Sequence, residues 1–142
     1  MQELLKKLNY RGNERIAVIN SGEEFFSKIR DELNEVIIDS EIDKRYPYEF
    51  MLIFVSSVDE VEHYSSAALH NLVADGILWF CYPKKTSKKY NSGPERNRGW
   101  DSLNNAGLFG IRMVAIDKDW SALRFRNIKY IRSTSIRFEK QT

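Results

Sequence analysis

Asp75-Gly76-Ile77-Leu78-Trp79-Phe80-Cys81-Tyr82-Pro83-Lys84-Lys85 is the stretch on which the fold turns. Ile77 to Tyr82 is apolar or aromatic at every position, with a turn dipeptide before it and a proline and two lysines after it. A strand without a polar face belongs in the interior of a sheet covered on both sides, the environment of parallel α/β sheets. What leaves its end is held on a rigid platform, and here that is a basic loop.

Working toward the N-terminus, Phe50-Met51-Leu52-Ile53-Phe54-Val55 is a second fully apolar run. Between the two, Ser57 and Glu60 have capping-box spacing, and Val58, Val61, Ala68, Leu69, Leu72 and Val73 recur at helical spacing, so a helix is expected up to Asp75-Gly76. Further upstream, Arg15-Ile16-Ala17-Val18-Ile19 reads as a strand. Ser21 and Glu24 read as a second capping box, opening a helix with Phe25, Phe26, Ile29 and Leu33 on one face. Val36-Ile37-Ile38 reads as a strand ending in Asp39, and residues 40–47 as a polar connection closed by Pro47. The order β-α-β-β-α-β implies right-handed crossovers and parallel pairing. Met1 to Lys7 reads as a short amphipathic helix with no apolar signal core.

Toward the C-terminus, residues 84–97 form the longest irregular stretch, followed by a short helix carrying Trp100 and Leu103 and closed by Gly107. Ile111–Ile116 and Trp120–Arg126 flank Asp117-Lys118-Asp119, and Leu123 and Phe125 alternate with Arg124 and Arg126, the pattern of an antiparallel hairpin with one wetter face. Residues 127–142 read as an extra edge strand or a tail. The expected fold is a three-layer, Rossmann-like α/β domain over residues 1–142, its sheet mostly parallel with a C-terminal antiparallel hairpin.

With 42% hydrophobic and 30% charged residues in 142, the chain has the composition of an ordinary globular domain. No run approaches the roughly 18 apolar residues of a membrane span. A lone cysteine, Cys81, makes no internal disulfide, so the expected location is cytoplasmic. Charge is unevenly placed. Residues 1–82 hold 8 Lys/Arg against 15 Asp/Glu, whereas residues 83–142 hold 14 against 5. The two halves either solvate themselves and attract each other, or the second half builds a positive face for an anionic partner.

In an open parallel sheet, ligands bind beyond the C-terminal strand ends where the strand order reverses. With the first strand flanked by the second and third, Asn20-Ser21-Gly22 and Ser56-Ser57 line that crevice, with Asp39 to one side and Pro83-Lys84-Lys85 to the other. The ligand-binding candidates are therefore Asn20, Ser21, Gly22, Asp39, Ser56, Pro83, Lys84 and Lys85. Lys88, Lys89, Arg96 and Arg98 of the basic loop, interleaved with Tyr90 and Trp100, add phosphate-gripping cations and stacking surfaces. Their alternative is a solvated loop. No catalytic constellation emerges, because no serine lies in a GxSxG elbow. His63 and His70 lie two helical turns apart, about 10.5 Å, too far to chelate a metal alone. They read as surface residues, and Cys81 as a buried apolar one. No metal or cofactor is assigned.

The architecture, with its terminal hairpin, resembles the Rossmann-like methyltransferases. That resemblance implies a glycine-rich loop after the first strand, where Asn20-Ser21-Gly22-Glu23-Glu24 offers one glycine and two carboxylates. It also implies a ribose-binding acid ending the second strand, the position of Asp39. Tyr82-Pro83-Lys84-Lys85, Gly99-Trp100, Gly107-Leu108, Val114-Ala115-Ile116-Asp117 and Trp120-Ser121-Ala122-Leu123-Arg124-Phe125-Arg126 are similar to a bacterial family of small proteins catalogued as a domain of unknown function. The leading expectation is a non-catalytic binding or interaction module. The alternatives are a binder or enzyme for an anionic small molecule of nucleotide or S-adenosyl type, and a nucleic-acid binder acting through the basic C-terminal half.

Overall fold

The computed structural model describes residues 1–85 and 93–131. Lys88, Lys89 and most of the 127–142 segment lie outside them. In chain order the elements are α1 (Gln2–Lys7), β1 (Arg15–Ile19), α2 (Glu23–Glu32), β2 (Ile37–Asp39), β3 (Tyr48–Phe54), α3 (Val58–Asn71), β4 (Leu72–Pro83), α4 (Asp101–Asn105), β5 (Leu108–Ala115) and β6 (Trp120–Asn127), then a single 3-10 turn at Ile128–Tyr130. Among the described residues six strands form one sheet, in the order β2-β1-β3-β4-β6-β5. β2, β1, β3 and β4 are parallel, and β6 is antiparallel to both of its neighbours.

The unbroken apolar runs of β3 and β4 divide by strand alternation into two cores. Ala17, Ile19, Met51, Ile53, Leu78 and Phe80 face Val61 and Ala68 of α3 and Leu103 of α4. Ile16, Val18, Phe50, Leu52, Trp79 and Cys81 face Leu5 and Leu8 of the α1 segment and Ile29 of α2. Each such side chain taken fully out of water contributes about 1.5–3 kcal/mol, which is why both faces must be covered. Trp79 needs a partner for its indole N–H in that dry layer, and it donates to the Leu8 carbonyl at 2.9 Å, pinning the end of α1 to the central strand. Cys81 is a buried free thiol whose pKa burial pushes up, so it is inert packing.

Three local expectations are corrected. α3 ends at Asn71, and Leu72 already has extended backbone and pairs with Tyr48, so Leu72 and Val73 belong to β4. Asp75-Gly76 is thus a kink inside a strand rather than the stop after a helix. Asp75 has φ 54°, and a methyl at Gly76 would meet the Leu72 side chain at 2.8 Å. Ser21 does not cap α2. The helix starts at Glu23 with Gly22 as its N-cap, so Ser21 sits one residue too early and donates to the Gly22 carbonyl at 3.0 Å. Ser57 does cap α3, accepting from the Glu60 amide at 3.1 Å.

The hairpin is present, but its second strand lies inside the sheet. Ala122, Leu123 and Phe125 are buried, which suits an interior position between β4 and β5, whereas β5 exposes Arg112, Met113 and Ala115 at the edge.

Candidate functional site

β1 is flanked by β2 and β3, so the strand order reverses at the exit of β1. Asn20 leaves that exit with φ 61° and turns its amide across the gap, donating to the Phe54 carbonyl at 2.9 Å and to Glu60 Oε2 at 2.8 Å. The other Glu60 oxygen accepts from the Ser56 amide at 2.6 Å and the Ser56 hydroxyl at 2.9 Å. Asn20 and Ser56 are therefore brought together, but through a carboxylate that closes the gap between β1 and β3. In the sequence Glu60 reads only as a helix-capping residue. Its signal was its place one turn after Ser56 at a strand exit, where a side chain can reach back over the sheet end.

Gly22 lies open, with nothing within 4 Å of where a Cβ would be, and its φ of 83° is one that favours glycine. Asp39 is engaged on its own edge of the sheet. Arg15 Nε donates to it at 2.7 Å and the Tyr48 hydroxyl at 2.5 Å, while Arg15 also reaches Asp43 at 3.2 Å and stacks 4.5 Å from the Tyr46 ring centre. Both Asp39 oxygens accept from Arg15 and one also accepts from Tyr48, so the residue ending β2 holds strands together.

Burial and then the bond to Asp39 push the Tyr48 pKa up to about 12 from 10.0. Because the folded value is raised, the stabilisation from the neutral phenol is complete below pH 10 and is lost as pH rises to about 12. Tyr48→Phe is expected to flatten the fall of unfolding free energy over that interval, read as the difference between wild-type and variant urea melts at successive pH values.

Beside the Asn20 bridge a cavity of about 780 Å3 opens between the β2–β3 connection and α3. Ser40, Glu41 and Lys44 line one wall, and His63, Tyr64, Ser66 and His70 the other. From His63 to Asn71 it follows α3 for about 12 Å. Asn71, only 5% exposed, donates from Nδ2 to the carbonyls of Asp43 and Tyr46, each at 3.0 Å. Those two acceptors fix the orientation of the amide, leaving Asn71 Oδ1 buried without a partner. The two histidines are exposed, as expected, yet both face this cavity, and no cluster able to hold a metal occurs among the described residues.

The basic residues lie elsewhere. Pro83 ends β4, the Lys84 amide donates to the Asp119 carbonyl at 2.8 Å, and Lys84, Lys85, Arg96 and Arg98 line a second cavity of about 710 Å3 with Tyr82 and Met113. Glu95 pairs with Lys85 at 2.9 Å and with Arg98, and the Lys85 bond chiefly holds the Glu95 carboxyl below its usual range. Gly93 packs against the Ser56 carbonyl at the β3 exit. Of the candidates, Asn20 thus lines the first cavity and Pro83, Lys84 and Lys85 the second, while Ser21, Gly22, Asp39 and Ser56 line neither. Trp100 belongs to neither arginine surface nor ligand wall. It is buried on the α3/α4 face against Phe80, Phe125 and Tyr82, and its indole N–H donates to the Glu95 carbonyl at 2.7 Å.

No family model matches the chain, and neither does any curated protein sequence. Solved structures do match. A SAM-dependent methyltransferase from Aquifex aeolicus superposes with a TM-score of 0.58 at 10% identity, over 87% of each chain. An S-adenosylmethionine-dependent methyltransferase from Clostridium acetobutylicum gives 0.55 at 8% identity, over 89% of this chain and 88% of its own. The N-methyltransferase NodS from Bradyrhizobium japonicum, in complex with S-adenosyl-L-homocysteine, gives 0.53 at 13% identity, over 80% of this chain and 66% of its own. The chain has the Rossmann-like α/β fold of these methyltransferases. At such identities the likeness is one of fold.

Proposed function

We propose that this chain is a non-catalytic binding module that takes a nucleoside of S-adenosyl type in the cavity between the β2–β3 connection and α3. The observation that carries the reading is the unpaired, buried Oδ1 of Asn71, a residue that lines a 780 Å3 space beside the strand-order reversal. A buried acceptor without a donor costs about 1–3 kcal/mol, which a ligand amino or hydroxyl group would recover. Glu41 and Glu60 at the β1 and β2 exits, with Glu23 and Glu24 in the first turn of α2, favour a neutral or cationic nucleoside over a phosphorylated one. The lack of turnover in this reading rests on Asp39 and Asn20, whose polar groups are already bound within the protein. An anionic small molecule at the Lys84–Arg96 cavity is the second reading, supported by the exposed Arg96 there.

Thermal shift with S-adenosylmethionine, S-adenosylhomocysteine, adenosine and ATP tests the first reading. At 100 times its Kd a ligand adds about 2.7 kcal/mol to stability. The adenosyl compounds are expected to raise Tm and ATP to have little effect, and Ser66→Trp, which fills the cavity from its exposed rim, should abolish the shift. No shift with any adenosyl compound refutes the binding, and methyl transfer from S-adenosylmethionine to a panel of acceptors refutes the non-catalytic part.

A further inference from the structure

A second charged feature lies on the α1 side of the sheet, and neither of its two arginines lines either large cavity. Arg112 of β5 and Arg124 of β6 are direct cross-strand partners. Like charges placed opposite one another in a sheet repel and weaken the pair. Arg124 is also the partner of Trp79 on its other side, and it is half-buried there, with its Nε shielded from solvent and without a hydrogen-bond partner. Burial first, and then the nearby charge of Arg126, lower its pKa; Asp75 opposes this, and Arg112 and Arg11 add to it.

Counter-charge is scarce at this place. Asp75 is already committed to Arg126 by two bonds of 2.8 and 2.7 Å. Arg11, from the connection between α1 and β1, spends its Nε on the Asn9 side chain at 2.9 Å. Among the described residues no carboxylate forms an ion pair with Arg11, Arg112 or Arg124. A shielded guanidinium Nε without an acceptor, opposite another guanidinium, is a place where bound negative charge would stabilise the fold.

We propose that Arg112 and Arg124 form a binding site for the phosphate group of a phosphorylated ligand. Guanidinium groups grip phosphate oxygens through paired N–H donors, and an oxyanion here would accept from the Arg112 and Arg124 guanidinium groups while neutralising their repulsion. The site is independent of the adenosyl cavity, which disfavours anions.

Arginine Nε–Hε NMR on the full chain, titrated with sodium phosphate against sodium chloride at matched ionic strength, is the test. The Arg124 signal is expected to shift saturably with phosphate and not with chloride. Arg112→Gln, at an exposed edge position, is expected to weaken phosphate binding about tenfold, the equivalent of one charge-assisted bond. The same variant should raise Tm in phosphate-free buffer, because it relieves the repulsion, and should blunt the gain in Tm on adding phosphate. A short single-stranded RNA run in parallel identifies the source. Much tighter, steeply salt-dependent binding assigns the phosphate to a nucleic-acid backbone, and affinity no better than inorganic phosphate assigns it to a small molecule. A response equal for phosphate and chloride, or an Arg112→Gln chain that binds phosphate as tightly as wild type, overturns the proposal.

Discussion

Trp100→Ala is expected to destabilise the protein by about 3–5 kcal/mol, the range for removing a large buried aromatic. Trp100 is 1% exposed, and its ring centre lies 4.9 Å from that of Phe125, 5.7 Å from Tyr82 and 5.9 Å from Phe80. The cavity left by truncation would face β4 and β6 together, where rigid strands cannot collapse to fill it. A second loss is local. The indole N–H holds the Glu95 carbonyl, so the variant also releases the turn from Glu95 to Arg98 that lines the basic cavity. Thermal melts should show a fall in Tm of about 10–20 °C. Hydrogen exchange at Arg98, whose amide donates to Glu95, should speed up more than exchange in β1. Equal acceleration throughout would show that Trp100 acts only on the core.

Gly93→Ala is expected to cost about 2–4 kcal/mol, from a strained backbone angle and a steric conflict of similar size. Gly93 has φ 123°, and a methyl there would lie 2.3 Å from the Ser56 carbonyl oxygen. Both sides of that conflict are backbone, so no rotamer change relieves it. Either the Ser56–Ser57 junction moves, disturbing the Glu60 bonds to Asn20 and Ser56, or the returning loop lifts off. The second route caps the cost at what the docking of that loop is worth. The outcome reads directly in the amide signals of Ser56 and Glu60. If both stay unperturbed while stability falls, the loop has lifted; if they shift, the junction has moved.

The sequence alone marks Asn20, Ser56 and Lys84 as following strands but does not assign their partners. Asn20, Ser56 and Lys84 do stand at strand exits, because runs of apolar residues mark where strands end. That Asn20 is spent on Glu60, and Asp39 on Arg15 and Tyr48, depends on side chains 9 to 40 residues apart meeting in space. Asn71 carried no signal at all. It sits in the last turn of a helix, where an asparagine reads as a terminus, and its importance comes from two loop carbonyls that fix one end of its amide and leave the other empty.

The run Ile77-Leu78-Trp79-Phe80-Cys81-Tyr82 was enough by itself to demand an interior strand and a sheet covered on both faces, since no polar side exists to meet water. Alternation of strands and helices then set the parallel order. Tertiary structure alone decided that β6 enters between β4 and β5, because only the pairing of strands shows which hairpin strand has a neighbour on each side. It alone decided that the kink at Asp75-Gly76 lies within β4, because pairing of Leu72 with Tyr48 outweighs helical spacing. It alone set Arg112 against Arg124, a juxtaposition that register creates and composition cannot reveal.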